Sequence, residues 1–384
     1  MDFKLSEEQR LLQESVGRFI AAEYPLEKRR DYIKQPDGFS RDNWRKLAEL
    51  GLLGLPLPEE VGGSGGSSID VMVVMEQFGR GLVVEPYLAS VVLCGGLLKR
   101  LAGNDRQRGL LARLGTGDAL MAFAQGERQA RYTLHDIEAT ARRDGDSFVL
   151  NGHKSVVLHG DSADTLIISA RSAGAARDTH GISLFLVDRG ADGLKVRGSP
   201  TIDGLRSAEI TLADVRVGAD ALLGPLDRGY PAIERAVDAA TAAVCAEAVG
   251  AMAVLIEATL DYLKTRQQFG APIGRNQALQ HRMVDVQIAY EQARSMACLA
   301  AMMADSDDDD ARRRAISAAK VQIGRAGKFV GQQAVQLHGG IAMTDEYKVG
   351  HYFKRLTMIG AQFGDVDYHL GRFAGLSEPN AEAA

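Results

Sequence analysis

The sequence predicts an α+β protein in three regions: an N-terminal α-helical domain at 1–118, a middle small β-barrel at 119–229, and a C-terminal four-helix bundle at 230–384. Three observations lead there. Apolar residues recur at helical spacing through the first third. Between 119 and 229, short runs of β-forming residues are broken by turn dipeptides. From Tyr230 onward the chain returns to long, alanine-rich helical patterns. Helices, then strands, then helices is an α+β order. Long helices do not alternate with the strands, which argues against a doubly wound nucleotide-binding fold.

The bulk numbers bound the rest. A chain of 384 residues suits two or three domains. With 46% hydrophobic residues it can bury a sizeable core. A net charge of -5 offers no basic surface for nucleic acid or an anionic membrane. Cys94, Cys245 and Cys298 are odd in number, far apart and without metal-ligand spacing, so buried thiols are expected rather than disulfides. The start, MDFKLSEEQR, is charged from its second residue, and no uninterrupted apolar run is long enough to span a bilayer. A cytoplasmic protein with no membrane insertion is expected.

Each element has its own signal. Ser6 and Gln9 form a capping box, and Leu12, Val16, Phe19 and Ile20 follow at helical spacing until Tyr24-Pro25. A second helix is predicted after Ser40, carrying Trp44, Leu47 and Leu50 and stopping at Gly51. GGSGGSS (62–68) reads as a flexible connector, without the spacing or the lysine of a phosphate loop. Ile69–Gly79 and Leu88–Leu101 are apolar enough for buried helices. Thr140–Arg143, Phe148–Leu150, Ser155–Leu158 and Leu166–Ser169 are predicted strands. Asp144-Gly145-Asp146, Asn151-Gly152 and His159-Gly160-Asp161 are the turns between them. Ile182–Val187, Gly193–Arg197 and Glu209–Leu212 continue the pattern. One helix then covers 231–266, Gly270-Ala271-Pro272 breaks it, and a second runs from Gln277 to Ala304. A third ends at Gly339-Gly340 and a fourth region closes the chain. SDDDDARRR (306–314) lacks the ligand alternation of a calcium loop and reads as a turn capping the next helix. The final SEPNAEAA predicts disorder.

The chemistry concentrates in the last region. Arg266 stands where a helix gives way to a turn, and its planar fork suits a pyrophosphate better than a lysine would. Phe269 can cover an apolar part of a cofactor. Gln277 and Gln336 can donate and accept on polar edges. Gly339 and Gly340 allow a backbone to approach a dinucleotide closely. The segment from Asp261 to Ile273, DYLKTRQQFGAPI, resembles the signature of acyl-CoA dehydrogenases, which place FAD across a subunit interface. The similarity extends through QALQHRM (277–283), QLHGGIAMT (336–344), the Asn151-Gly152-x-Lys154 turn, and N-terminal LSEEQRLLQESVGRF and GLLGLPLPEEVGG, and so covers nearly the whole chain. The resemblance assigns FAD contacts to Arg266, Gln268, Phe269, Gln277, Gln336, Leu337, His338, Gly339 and Gly340. VVLHGDSAD, CAEAVGAM and YKVGHYFKRLTMI are similar, more narrowly, to the pimeloyl-CoA dehydrogenase small-subunit type.

The sequence departs from the family where catalysis is done. Family members remove the α-proton of a thioester with a glutamate of tuned pKa. One family position for that base, counted without gaps from Arg355, is Gly364. The other, ten residues before the glycine matched by Gly250, is Ala240. Asp365, one residue late, and Asp238, two residues early, are the nearest acids. On a helix two residues turn a side chain to another face. The flavin loop reads Ala124-Gln125-Gly126-Glu127-Arg128-Gln129-Ala130-Arg131. The family's Lys-x-Trp-Ile-Thr reads Lys154-Ser155-Val156-Val157-Leu158, so the aromatic plate and the hydroxyl are gone. Arg128 and Arg131 read as solvated loop arginines or as partners of an acidic acyl terminus. The eight histidines show no metal spacing, and His338 and His351 read as structural.

Residues lent to a neighbour's FAD are thus kept, and those that would employ a flavin of its own are lost. The resemblance then implies a base-lacking oxidoreductase subunit in a heterotetramer with a homologous subunit, two FAD per assembly, a CoA thioester as substrate and an electron-transfer flavoprotein as acceptor. A homotetrameric acyl-CoA dehydrogenase using Asp365, and a non-catalytic assembly subunit, are the alternatives.

Overall fold

The computed structural model describes residues 4–376, so the SEPNAEAA tail, expected to be disordered, lies outside the described residues. Helices α1 (Glu7–Glu23), α2 (Leu26–Ile33), α3 (Arg41–Glu49) and α4 (Ser68–Gly81) come first. A π-helical segment, Tyr87–Gly95, leads into α5 (Gly96–Leu101) and α6 (Asp105–Gly115). Eight strands follow: β1 (Met121–Ala124), β2 (Thr140–Asp144), β3 (Ser147–Leu158), β4 (Thr165–Arg171), β5 (Ile182–Asp188), β6 (Leu194–Pro200), β7 (Arg206–Gly218) and β8 (Leu222–Leu223). The chain closes with α7 (Tyr230–Thr265), the short ribbon β9 (Gln267–Gln268) and β10 (Ala271–Pro272), α8 (Gln277–Ala304), α9 (Asp309–His338), α10 (Lys348–Ala361) and α11 (Val366–Gly375). Helical, β and helical regions in that order make the α+β class that was predicted.

Most start signals act as read. Ser6 Oγ accepts from the Gln9 amide while the Gln9 side chain returns to Ser6 N, closing the capping box of α1. Ser40 caps α3 through Asn43 N, and Asp308 of the acidic run caps α9 through the amides of Asp310 and Ala311. Three details differ. The helix expected over Leu88–Leu101 begins as a π-helix, which Ser90 ties to β1 by accepting from Met121 N and donating to Met121 O. Asn151-Gly152 is not a turn between two strands; it is an irregularity inside the single long β3. Gly152 takes φ 145°, a value open to glycine, and the pairing slips from Leu150 opposite Val215 to Gly152 opposite Leu212. The strands pair in the order β6-β7-β3-β2-β4-β5-β8 with β1 beside β4. The expected small barrel is therefore a mixed sheet whose end strands, β6 and β8, do not pair with each other.

Two compact units emerge among the described residues, one of 4–30, 68–83 and 241–376, the other of 31–67 and 84–240. In the first unit, α4 crosses α7 so closely that a Cβ on Gly79 would run into the backbone at Glu247, and one on Gly250 into that at Glu76. Arg355 of α10 forks onto the Glu247 carboxylate at 2.5 and 2.6 Å, and both side chains are buried. In the second unit the core is the sheet. Strand β4 is buried on both faces and β5 nearly throughout, and Phe148 meets Phe185 with ring centroids 5.0 Å apart. Helix α7 is apolar and long enough to cross a membrane by composition, contrary to the reading of the sequence; its alanine-rich apolar stretch is 89% buried, as a core helix is.

Candidate cofactor site

In the first unit, two side-chain contacts gather the predicted residues at one end of the helices. Tyr262, near the end of α7, stacks on His338, the last residue of α9, at 4.6 Å. Arg282, in the second turn of α8, donates to Gln333 of α9 at 3.1 Å. Arg266, Gln268 and Phe269 therefore follow the end of α7, Gln277 opens α8, and Gln336 and Gly339-Gly340 sit where α9 stops. All seven are exposed. Among the described residues, the side chains of Arg266, Gln268, Gln277 and Gln336 have no hydrogen-bond or ion-pair partner. A Cβ on Gly339 or Gly340 would meet nothing within 4 Å. Phe269 is 105% exposed and left-handed at φ 53°, an uncommon state for a bulky residue. Leu337 and His338 behave differently. Both are buried, and His338 Nδ1 lies 2.8 Å from the Ala334 carbonyl with the ring packed on Tyr262 and Tyr347. Burial pushes the His338 pKa down, so the ring is neutral. His351 is also held locally, with Nε2 at 2.9 Å from the Asp345 carbonyl.

The two positions expected for the family base carry no acid, and at one of them a side chain has no room. Ala240 is fully buried on α7. Gly364 is buried at φ 120°, and a Cβ there would collide with the Tyr368 ring and lie 2.6 Å from His369 Nε2. Asp365 is the N-cap of α11 and accepts from Tyr368 N at 2.9 Å. Asp238 is 1% exposed, two residues from Ala240. Lys320 of α9, missed in the sequence, donates to the Gly364 carbonyl at 2.6 Å and the Gly360 carbonyl at 3.2 Å. Burial lowers its pKa to about 8, opposed by nearby Cys245 and Asp365. A signal existed: Lys320 interrupts the buried apolar stripe Ile316, Ala319, Ile323 and Ala326.

In the second unit, the loop that matches the family's flavin loop is bound inward. Lys154, fully buried, donates to Glu127 Oε1 at 2.6 Å, Ser169 Oγ at 3.0 Å and the Gln125 carbonyl at 3.4 Å. The Glu127 carboxylate also accepts from Glu138 N at 2.8 Å, Ala139 N at 3.2 Å and Gln129 Nε2 at 2.8 Å. Burial alone would raise the Glu127 pKa, but the Lys154 cation and these donors hold it below the usual value. Burial lowers Lys154 to about 8, so the two remain an ion pair at neutral pH. Val156 stands exposed at φ 54° in a bulge of β3, and Leu158 is half-buried. Arg128 is exposed, 3.6 Å from Glu209, and Arg131 is exposed in a left-handed turn. A depression of about 430 Å³ beside them is lined by Glu127, Arg128, Gln129, Glu138 and His153 among others, a wall of mixed charge.

Residues 6–118, 122–215 and 227–373 match the N-terminal, middle and C-terminal domains of acyl-CoA dehydrogenases. A probable acyl-CoA dehydrogenase of Bacillus subtilis, YngJ, is 31% identical over 354 residues, covering 91% of this chain and 92% of that protein. The chain belongs to the acyl-CoA dehydrogenase family. Its enzyme class is that of FAD-dependent oxidoreductases. Among solved acyl-CoA dehydrogenase-like structures, the FAD complex of PigA is similar with a TM-score of 0.91, 27% identity and coverage of 98% of this chain and 100% of that one. The ChsE4–ChsE5 complex from Mycobacterium tuberculosis gives 0.88, 26%, 99% and 100%.

Proposed function

We propose that this chain is the base-lacking subunit of a heterotetrameric acyl-CoA dehydrogenase and contributes to FAD sites shared with a homologous partner. Its subtype is the pimeloyl-CoA dehydrogenase small-subunit type, its assembly desaturates a CoA thioester between the α and β carbons, and an electron-transfer flavoprotein takes the electrons. The observation that carries the reading is Gly364. At the position of the family glutamate stands a buried glycine in a left-handed backbone with no space for a side chain.

The exposed groups of the first unit fit one end of FAD. Arg266 would pair with the pyrophosphate, Gln277 and Gln336 would meet polar edges, and Gly339-Gly340 would let the backbone come close. Phe269, bare in its own chain, would lie on a neighbour's cofactor. The second unit does not fit the flavin ring, since Val156 and Leu158 replace the aromatic plate and the hydroxyl and Glu127 ties its loop to the sheet. FAD, when bound, supplies the hydride acceptor for the β-carbon. This chain orients the cofactor's phosphate end and provides no carboxylate for the α-proton, which falls to the partner. A relative known as a two-protein complex, ChsE4–ChsE5, supports such an arrangement.

The homomeric alternative needs Asp365 as a base, yet that carboxylate already caps α11. The deciding experiment is the flavin count of the chain purified alone and co-expressed with its homologous partner. The expected result is a colourless chain and about one FAD per heterodimer, bleached by an acyl-CoA. A yellow chain with one FAD each, bleached by an acyl-CoA without a partner, would overturn the proposal. A flavin-loaded complex that no acyl-CoA bleaches would favour the assembly role instead.

A further inference from the structure

His338 belongs to the cofactor motif by sequence but does not face outward with it. It is 4% exposed, and its Nδ1 lies 2.8 Å from the Ala334 carbonyl one turn back in α9. Burial keeps the ring neutral, so Nδ1 carries the proton and donates to that carbonyl. The ring stacks on Tyr262 with centroids 4.6 Å apart and planes at 30°, and Tyr347 meets it at 5.2 Å and 54°. Both partners lead to cofactor groups. The Tyr262 carbonyl accepts from Arg266 N at 2.8 Å, and the Arg266 carbonyl accepts from Ile273 N at 2.9 Å, at the base of the β9–β10 ribbon whose turn carries Phe269. Tyr347 closes the segment that begins at Gly339-Gly340. Two residues before it, Asp345 is tied to Arg30 at 3.1 Å, and its carbonyl lies 2.9 Å from His351 Nε2. One buried ring therefore joins the end of α7, which holds Arg266, to the stop of α9, which holds the glycine pair.

Resting on the cofactor reading above, we propose that His338 is a positioning residue for FAD and not one of its contacts: through Tyr262 and Tyr347 it sets the spacing between the Arg266 fork and the Gly339-Gly340 backbone. A fork and a backbone grip one pyrophosphate together only if they stand at the right separation before it arrives; ordering them afterwards costs affinity. Helix ends fray, and two helices end here, where Arg266 and Gln336 have no side-chain partner among the described residues to hold them. The stack supplies the missing rigidity from beneath. A histidine does this in two ways at once. Its face packs as an aromatic ring on Tyr262, and its Nδ1 hydrogen bond fixes the ring's rotation against its own helix.

The test uses the purified two-subunit complex and reads FAD release on dilution, well below the unfolding temperature. His338→Leu removes both the ring and its hydrogen bond, and should weaken FAD retention about tenfold, the upper end of what an aromatic pair is worth. His338→Phe keeps a flat ring and should recover most of that loss. A double-mutant cycle with Arg266→Ala separates positioning from plain stability. If His338 acts by setting Arg266 against the glycine pair, the loss from His338→Leu should largely disappear once Arg266 is gone. A merely structural histidine would lower the unfolding midpoint alike in both backgrounds and show no coupling in FAD retention. Additive losses, a Phe variant no tighter than the Leu variant, or unchanged FAD retention in His338→Leu would each overturn the proposal and leave the cofactor reading standing. If His338→Leu does not fold, Tyr262→Leu cuts the same stack from α7 and runs the same cycle. An Arg266→Ala complex that keeps FAD at parental strength would instead sink the cofactor reading of this end, and the positioning role with it.

Discussion

At the ends of α7 and α9 the side chains of Arg266, Gln268, Phe269, Gln277 and Gln336 are exposed, and among the described residues the four polar ones have no hydrogen-bond or ion-pair partner. In the loop before β2 the Glu127 carboxylate is bound inward, serving Lys154, two backbone amides and Gln129, while Arg128 and Arg131 stay exposed. The difference teaches what each region is for. A buried polar group must be satisfied, so an inward network measures folding. An exposed arginine beside exposed amides and an aromatic ring contributes little to folding. On the proposed heteromeric reading, the first region would serve an assembly and the second would act as scaffold.

The sharpest way to break the comparison is a pair of substitutions. Lys154→Ala leaves the Glu127 carboxylate buried without its cation and should cost about 3–5 kcal/mol. Arg266→Ala, at an exposed site without partners, should fall within about 0.5 kcal/mol of the parent. Urea unfolding of the isolated chain reads both. In the two-subunit complex the order should invert for flavin, with Arg266→Ala losing FAD on dilution. Equal unfolding costs would show that Arg266 belongs to the fold and that the contrast is false.

A smaller effect separates Lys320 from Lys154 within the buried set. Lys320 has no carboxylate bonded to it, only carbonyls, and burial lowers its pKa from 10.5 to about 8. The unfolded chain therefore binds more protons than the folded one between pH 8 and 10.5, and stability from this group rises with pH across that window. The cost of the buried charge is present in full below pH 8. Relative to Lys320→Met, which lacks the titration, the parent should gain about 3 kcal/mol between pH 8 and 10.5 in urea unfolding. A flat difference would mean that the amine stays charged and better solvated than its burial implies.

How far this could be read from sequence varies with the kind of signal. Caps and periodicity are local, so Ser6, Ser40 and Asp308 and the helices they start were legible. The three-region order followed from them. The π-helix at Tyr87–Gly95 was not legible, because an apolar run looks the same in either helix and only the Ser90 link to β1 distinguishes it. Asn151-Gly152 was misplaced because the same dipeptide suits a turn and a bulge. For the candidate cofactor site, motif matching pointed to Arg266, Gln268, Phe269, Gln277, Gln336, Gly339 and Gly340, which the structure leaves exposed, and to Leu337 and His338, which it buries. It could not find Lys320, His369 or the Glu247–Arg355 pair, whose partners lie 44, 6 and 108 residues away. The absence of the base was readable, but the reason that it cannot return at 364 needed the neighbours of Gly364.

The smallest effect is the most discriminating for the outward region. Phe269 holds a left-handed backbone with its ring in solvent, so its own chain gains nothing from the side chain and bears the strain. Relieving such a conformation is worth about 1–3 kcal/mol, and the extra freedom of glycine in the unfolded chain takes back about 0.5–1 kcal/mol. Phe269→Gly in the isolated chain should therefore be neutral to modestly more stable, by about 1 kcal/mol. The same substitution in the complex should weaken assembly or flavin retention, read by FAD release on dilution. A loss of stability in the isolated chain would mean that the ring packs against its own fold in solution. Greater stability alone and weaker flavin retention together would mean that the strain at Phe269 is maintained by selection for a neighbour's cofactor.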